Sequence, residues 1–306
     1  MALRWDVRRA VAEDAGRAAR REVVAAARVL RAASRSPAGT PVPAASKALA
    51  TAVHEARKSL KRARTVLRLV RDAVGRSRFR AAKDRLSSAA GQLSGLRDAK
   101  VVLDALDRLL GDSSVDAETV SGLRRQLVEE HAQEHRRAAD EVGPRAEAIE
   151  RIAAGRADAA RWPLVGEDFR EVVESAVRRF YRRGRRRMDE AREEPSSAAL
   201  HAWRKRVKDL GYSVELMAGS WTEVLDPLAA EIRRLWELLG QEHDLMLLLE
   251  TAERRREAFA SPDDADTLRD VIEARRRQLR TEAFDLGRRI YVESPKRFAH
   301  RLCSYR

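Results

Sequence analysis

The sequence predicts an all-α protein, and three observations support this: the spacing of apolar residues, the scarcity of turn-forming residues and the charge content. Apolar residues recur with a period near 3.6 along nearly the whole chain, which is typical of amphipathic helices. The 306 residues include 15 Gly and 9 Pro, too few for a β-sandwich or barrel with a turn every ~8–12 residues. Charged residues make up 36% of the chain and can cover many solvated helix faces.

The periodicity predicts four main helices in the first half of the chain. The Ser36–Pro43 segment contains three prolines and is predicted to be a linker after the first helix. Gly75 and Gly111 follow the second and third helices and suit their C-terminal caps, and Gly143-Pro144 ends the fourth. The approximate ranges are Trp5–Ser34, Ala45–Val74, Ser77–Leu110 and Asp116–Asp140.

The second half of the chain repeats this organisation after a short helix and a loop at Gly155–Gly166. Asp263 and Asp264 follow Pro262 and are expected to be N-caps of the last helix. The four helices predicted here are about Glu167–Glu193, Ser196–Ala218, Thr222–Arg256 and Asp263–Ile290.

An internal repeat relates the two halves. The segments Val53–Lys61 and Leu200–Lys208 share the form apolar–His–x–x–Arg–Lys–x–apolar–Lys, at an offset of 147 residues. Downstream, Leu96–Leu103 aligns with Glu242–Leu249 at an offset of 146 residues. One spacing therefore relates two separate pairs of segments. The sequence predicts a single domain over residues 1–306, made of a first four-helix repeat at 1–155 and a second at 156–306, each forming a bundle.

The charge balance favours a polyanionic partner. The 62 Lys and Arg residues outnumber the 48 Asp and Glu residues, which gives a formal net charge of +14 and a pI near 10.6. Nucleic acid, an anionic membrane surface or a phosphate polymer would each suit this excess. A helical protein with solvated, arginine-rich faces is the alternative, and composition leaves both interpretations open.

The repeated motif places its basic side chains on one face of each predicted helix, because residues three, four and seven apart are neighbours there. Arg and Lys side chains at this spacing suit successive phosphate oxygens. The opposite faces are apolar and are predicted to pack into the bundles. The first motif supplies His54, Arg57, Lys58, Lys61 and Arg68, and the second supplies His201, Arg204, Lys205 and Lys208. The first helix of each half adds Arg17, Arg21 and Arg28, or Arg179, Arg183 and Arg186.

The motif His-x-x-Arg-Lys-x-x-Lys-Arg-x-Arg at His54–Arg64 and its partial copy at His201–Tyr212 resemble the CHAD family, whose name abbreviates conserved histidine α-helical domain. So do the aligned segments around Asp98 and Asp244. The resemblance covers about residues 5–300. It implies two four-helix bundles related by a pseudo-two-fold axis, which bind inorganic polyphosphate in a basic groove between them and can localise to polyphosphate granules without acting as an enzyme.

Carried over residue by residue, the resemblance implies phosphate contacts in both motifs. The second motif departs from the pattern at Asp209, opposite Arg62, and at Gly211, opposite Arg64, and both changes lower its positive charge. Asp98 and Asp244 are interpreted as structural acceptors for nearby basic side chains. The residues implied are His54, Arg57, Lys61, Arg62 and Arg64, then His201, Arg204, Lys205 and Lys208.

Other features restrict the function further. No apolar run approaches the ~18 residues of a membrane span, and no secretory signal precedes the first helix. The single cysteine, Cys303, makes no internal disulfide, which indicates a reduced, cytoplasmic protein. No Gly-rich phosphate loop or nucleophile elbow is present. A metal held by His54 and His201 is a minor alternative, because the surrounding cations repel metal ions.

The sequence therefore predicts a non-enzymatic protein that binds inorganic polyphosphate, without a cofactor or metal and without insertion into a membrane. Sequence-independent nucleic-acid binding is the alternative function. A role as accessory to a phosphate-processing enzyme is a third. The sequence predicts neither the preferred polymer length nor the oligomeric state.

Overall fold

The computed structural model describes residues 12–34, 42–92, 98–112, 115–140 and 169–305. Within these ranges the chain forms eleven α-helices, a short 3-10 helix at Arg256–Ala258 and no β-strand, which confirms the all-α prediction. The helices are α1 (Ala12–Ser34), α2 (Val42–Leu69), α3 (Arg71–Val74), α4 (Arg76–Gln92), α5 (Asp98–Asp112), α6 (Ser121–Asp140), α7 (Phe169–Glu193), α8 (Ser197–Met217), α9 (Thr222–Arg254), α10 (Pro262–Ile290) and α11 (Pro295–Ser304).

Some helix boundaries differ from the sequence prediction. The predicted helix Ala45–Val74 is two helices, because α2 ends at Leu69 and Val70 has the non-helical backbone angles φ −96° and ψ 14°. The predicted helix Ser77–Leu110 corresponds to α4 and α5. The short helix and the loop predicted between the two halves lie outside the described residues.

The last two helices, α10 and α11, also begin differently from the sequence prediction. The N-cap of α10 is Ser261, whose hydroxyl accepts from the Asp264 amide at 3.2 Å, while the Asp264 carboxylate accepts from the Ser261 amide at 3.1 Å. Pro262 begins the helix, so Asp263 and Asp264 lie in its first turn. The sequence prediction missed α11, which begins at Pro295 after the N-cap Ser294. The Ser-Pro pair was its signal.

The hydrophobic core joins helices from both halves of the chain. A smaller cluster packs α1, α2 and α4 together. The larger cluster combines the C-terminal part of α2 with α5, α6 and all the helices from α7 to α11. Since α5 packs directly against α9, apolar contacts cross the position at residue 155 where the two repeats were divided. The division into repeats stays a prediction.

Helix α2 occupies the position that brings the two motifs together. It packs against α1 and α4 on one side and contacts both α7 and α8. Its apolar residues Ala56, Leu60, Ala63 and Leu67 are buried, as the periodicity predicted. In α8 the matching residues Trp203, Val207, Leu210 and Val214 are also buried. Both motif helices therefore direct their apolar faces inward, and Arg68 near the end of α2 meets Asp209 of α8. Among the helices formed by the described residues, none has the length and apolar composition needed to cross a membrane.

A buried carboxylate joins α9 to α10. The Glu242 carboxylate accepts from Arg276, whose Nε and Nη2 lie 3.1 and 2.8 Å from Oε1, and from Arg280 at 3.0 and 2.8 Å. Glu242 and Arg276 are both buried, so the charges depend on each other for compensation.

Replacement of Glu242 by Gln should destabilise the protein strongly, because it leaves two guanidinium groups without their carboxylate. We expect the free energy of unfolding to fall by about 3–5 kcal/mol, measured by urea denaturation. Glu237→Gln, at an exposed position of the same helix, should change it by less than about 0.5 kcal/mol. Equal effects of the two variants would contradict a structural role for this ion-pair group.

Candidate functional site

The first motif lies on the solvent-facing side of α2. His54 is exposed, and Arg57, Lys58 and Lys61 are partly exposed. Lys58 pairs with Glu55 of the same helix at 3.1 Å. The basic face ends at Thr65, which is 2% exposed and donates its hydroxyl hydrogen to the Lys61 carbonyl at 3.2 Å. The polar stripe therefore turns toward the protein interior after two to three helical turns.

The second motif on α8 forms a more enclosed group. His201, Arg204 and Lys208 are partly buried, while Lys205 is exposed. The His201 ring packs against the His243 ring of α9, with ring centroids 4.7 Å apart. Sequence reasoning missed His243. The sequence feature that could have identified His243 was the alignment of Glu242–Leu249 with Leu96–Leu103, in which His243 stands opposite Arg97.

Two glycines allow α9 and α8 to hold this group closely. A Cβ atom at Gly240 of α9 would lie 2.7 Å from Nη2 of Arg204, so the guanidinium group rests on the bare backbone there. A Cβ atom at Gly211 of α8 would overlap the ring of Trp236. Sequence reasoning interpreted Gly211 as a loss of charge relative to Arg64. The structure adds a steric reason, because a side chain at residue 211 would displace Trp236.

Asp209 lies where the two motif helices meet. Its side chain is buried, and Arg68 of α2 donates from Nη1 to Oδ1. Arg206 of α8 places its Nη1 3.1 Å from Oδ2. Burial raises the pKa of Asp209, and the positive charges of Arg68, Arg206, Arg64 and Arg183 oppose this by favouring the carboxylate. The carboxylate therefore joins the two motifs electrostatically.

The arginines around Asp209 come from neighbouring helices, and we call them the arginine cluster. Its members are Arg64, Arg68, Arg71, Arg179, Arg183 and Arg206. Burial lowers the pKa of Arg183, and three other members lower it further through like-charge repulsion. Burial likewise lowers the pKa of Arg64, with a further contribution from Arg68. In both residues like-charge repulsion from neighbouring arginines adds to the effect of burial, so positive charge is crowded here.

The predicted arginines of α7 have different environments. Arg179 bonds to the Asp72 carboxylate at 2.6 Å and to the Arg68 carbonyl oxygen at 3.0 Å, which fastens α7 to α2 and α3. Arg183 faces the arginine cluster. Arg186 is exposed and pairs with Glu190 one turn along the same helix at 2.7 Å. Arg179 is therefore engaged by neighbouring helices, while Arg183 and Arg186 are exposed to solvent.

The structure describes the side chains of two of the three arginines predicted on the first helix. Arg21 and Arg28 are exposed on α1, and the Arg17 side chain lies outside the described residues. Arg62 of α2 approaches the buried Glu22 of α1 at 3.8 Å, so it also contacts the neighbouring helix. Burial raises the pKa of Glu22, and Arg62 opposes that shift.

Asp244 of α9 accepts from Arg108 of α5 at 3.3 Å. This contact links helices of the two predicted repeats. The Asp98 side chain lies outside the described residues. Among the described residues, no group of three or more His, Cys, Asp or Glu side chains is arranged to hold a metal ion.

Together these groups form a surface with more cations than carboxylates. Six arginines meet Asp209 and Asp72 at the junction of α2, α3, α7 and α8. Such a surface can bind a flexible polyanion by charge-assisted hydrogen bonds from guanidinium and ammonium groups.

Comparisons with known proteins agree with the all-α fold. The family model described as CHAD domain matches residues 42–253, well over half of the chain. The crystal structure of the CHAD domain from the plant Ricinus communis is similar with a TM-score of 0.65. The match covers 95% of each chain at 19% sequence identity, a level at which the similarity concerns the fold. No curated protein matches this chain by sequence.

The stability of the free protein should decrease in mild acid because of His201. Burial lowers the pKa of His201 to about 4, and nearby cations of α8 act in the same direction, as does His243. The unfolded imidazole has a pKa near 6.5, so between about pH 6.5 and pH 4 the unfolded state binds more protons. The free energy of unfolding should therefore fall as the pH decreases through this range.

Denaturation at several pH values, with and without His201→Gln, measures this effect. The variant should show a flatter dependence of the free energy of unfolding on pH between about 6.5 and 4. His54→Gln, which replaces an exposed imidazole of the first motif, is the comparison variant. An unchanged slope in His201→Gln would contradict the assignment.

Proposed function

Since this chain belongs to the CHAD domain family, we propose that it binds inorganic polyphosphate through the two basic motifs and the arginine cluster between them. The observation that carries the proposal is the meeting of cations from α2, α7 and α8 around Asp209. A linear chain of phosphates carries closely spaced negative charges and needs contacts of this kind along its length. Side chains on several helices meet that need better than a single stripe.

Each type of basic side chain would contact phosphate in its own way. Arg guanidinium groups donate in a planar fork that suits two oxygens of one phosphate, whereas Lys ammonium groups act as mobile point charges. His201 is neutral in the free protein at neutral pH and can donate one hydrogen bond. A bound polyanion would raise the pKa of His201 and favour the cation, which donates two.

The aromatic residues favour polyphosphate over single-stranded nucleic acid. Proteins that bind single strands stack bases on exposed aromatic rings beside basic residues. Tyr181 is buried, and its hydroxyl donates to the Ile290 carbonyl at 3.0 Å. Tyr212 packs against Trp236 with ring centroids 5.3 Å apart. Both of these tyrosine rings therefore serve the interior packing.

The proposed role is binding without catalysis, in the cytoplasm and in association with polyphosphate granules. Tethering of a phosphate-processing enzyme to its polymer is compatible with the same surface. Binding of double-stranded nucleic acid through its backbone is the alternative, because it needs cations without base contacts.

Competition distinguishes the two polyanions. We expect labelled long-chain polyphosphate to be displaced by unlabelled polyphosphate at a much lower concentration of charge than by duplex DNA or RNA, measured by fluorescence anisotropy at a fixed salt concentration. Equal displacement per unit charge would instead support a diffuse cationic surface or a nucleic-acid-binding function.

The first motif can be tested separately from net charge. The triple variant His54→Gln, Arg57→Gln and Lys61→Gln should weaken polyphosphate binding by more than about tenfold, because each charged hydrogen bond is worth about 1.5–3 kcal/mol and tenfold corresponds to about 1.4. The fold should persist, since the buried residues of α2 lie on its other face. Circular dichroism checks this.

A matched control removes the same formal charge elsewhere. Arg277 and Arg288 are exposed on α10, and each pairs with an acidic residue of its own helix. Arg277→Gln with Arg288→Gln should change the affinity by less than about threefold. Arg276 is unsuitable as a control, because it is buried against Glu242. Equal losses in the motif and control variants would remove any special role for the motif.

A further inference from the structure

Asp209 is an acidic residue at the centre of an otherwise basic surface. In the predicted repeat it stands opposite Arg62, so the second motif has a carboxylate where the first has a cation. Its side chain is 5% exposed. Oδ1 accepts from Arg68 of α2 and Oδ2 faces Arg206 of its own helix. A buried carboxylate at this position acts on the cations of both motif helices.

The positive charge around Asp209 exceeds what one carboxylate compensates. Besides Arg68 and Arg206, the charges of Arg64 and Arg183 act on Asp209. Four guanidinium groups therefore share one buried anion. The repulsion that remains among them appears in the lowered pKa values of Arg64 and Arg183, to which burial contributes most. The junction has electrostatic capacity for a further anion.

The arginines that hold Asp209 also reach the solvent. The side chains of Arg68 and Arg206 are 24% and 25% exposed, although the carboxylate between them is buried. A guanidinium group has five N–H donors, so an arginine engaged with Asp209 on one edge can donate to another anion on its exposed edge. Phosphate oxygens arriving from solvent would share these cations with Asp209.

We propose that Asp209 is the internal counter-anion of the arginine cluster and limits the affinity for polyphosphate by competing with phosphate groups for Arg68 and Arg206. This inference rests on the proposed function. In the free protein the carboxylate reduces repulsion among the four arginines and stabilises the contact between α2 and α8. In the complex the same carboxylate repels the bound phosphates. It also neutralises part of the positive charge of the arginines, which weakens their attraction for phosphate.

The two effects of Asp209 have opposite consequences for one substitution. Asp209→Asn keeps the size of the side chain and removes its charge. The free protein should become less stable, because the arginines lose their internal anion. The complex should form more tightly, because phosphate then supplies the missing compensation. Polyphosphate should therefore raise the melting temperature of Asp209→Asn by more than that of the wild type.

Asp266→Asn is the matched control. Asp266 of α10 also pairs with two arginines, Arg256 at 2.7 Å and Arg269 at 2.9 Å, and its loss raises the net charge by the same amount. In isothermal titration with long-chain polyphosphate at fixed salt, we expect Asp209→Asn to lower Kd at least about threefold. Asp266→Asn should change Kd less than twofold. Asp209→Glu, which keeps the charge, should remain closer to the wild type than Asp209→Asn.

A second pair of variants, based on Arg206→Gln, tests the inference if Asp209→Asn alone does not fold. Arg206→Gln removes one of the crowded cations, so adding Asp209→Asn to it restores the formal charge of the wild type. The double variant should still bind polyphosphate more tightly than Arg206→Gln alone. Binding by the wild type without tightening on loss of Asp209 would overturn this inference alone. Absence of binding by the wild type would overturn the proposed function and this inference with it.

Discussion

The contact between Arg68 of α2 and Asp209 of α8 is the interaction on which the presentation of both basic motifs depends. It joins residues 141 positions apart in the sequence, one from each predicted repeat. A buried ion pair adds little net stability, because desolvation of both charges offsets much of their attraction. The apolar faces of α2 and α8 supply the stability of the packing instead. The pair fixes how the helices meet, since a shift of either helix would leave a buried carboxylate uncompensated.

Charge crowding imposes the remaining constraints on the junction. Arg179 places its guanidinium group between Asp72 and the Arg68 carbonyl oxygen, which connects α7 to the end of α2 and relieves part of the repulsion. The Arg204 guanidinium group lies against the bare backbone at Gly240, and Trp236 approaches α8 closely because residue 211 is glycine. Acidic side chains, a carbonyl oxygen and close backbone contacts thus hold several of these cations, and Arg68 and Arg206 remain partly exposed to solvent.

This organisation separates the stability of the protein from its binding surface. The apolar stripe of α2 is buried whether or not an anion is present, and the Glu242 group joins α9 to α10 independently of the motifs. The basic side chains of the motifs lie on the other faces, and Arg68 among them also pairs with the buried Asp209. His201 links the two aspects, because its neutral imidazole is accommodated beside His243 while cations surround it. A polyanion bound there would reverse the electrostatic environment of that ring.

The sequence by itself determined the helical class, the buried faces of α2 and α8, and the position of both motifs, because residue spacing on a helix is a local property. It located most helix ends within a few residues, although the break at Val70, the Ser261 cap and helix α11 needed the structure. Only the tertiary structure decided which charges meet. It turned Asp209 from a lost cation into the partner of Arg68 and Arg206, placed His243 beside His201, and engaged Arg179 with Asp72. Such pairings join residues far apart in the chain, and they depend on the distances between packed helices. The spacing of residues within one helix does not determine those distances.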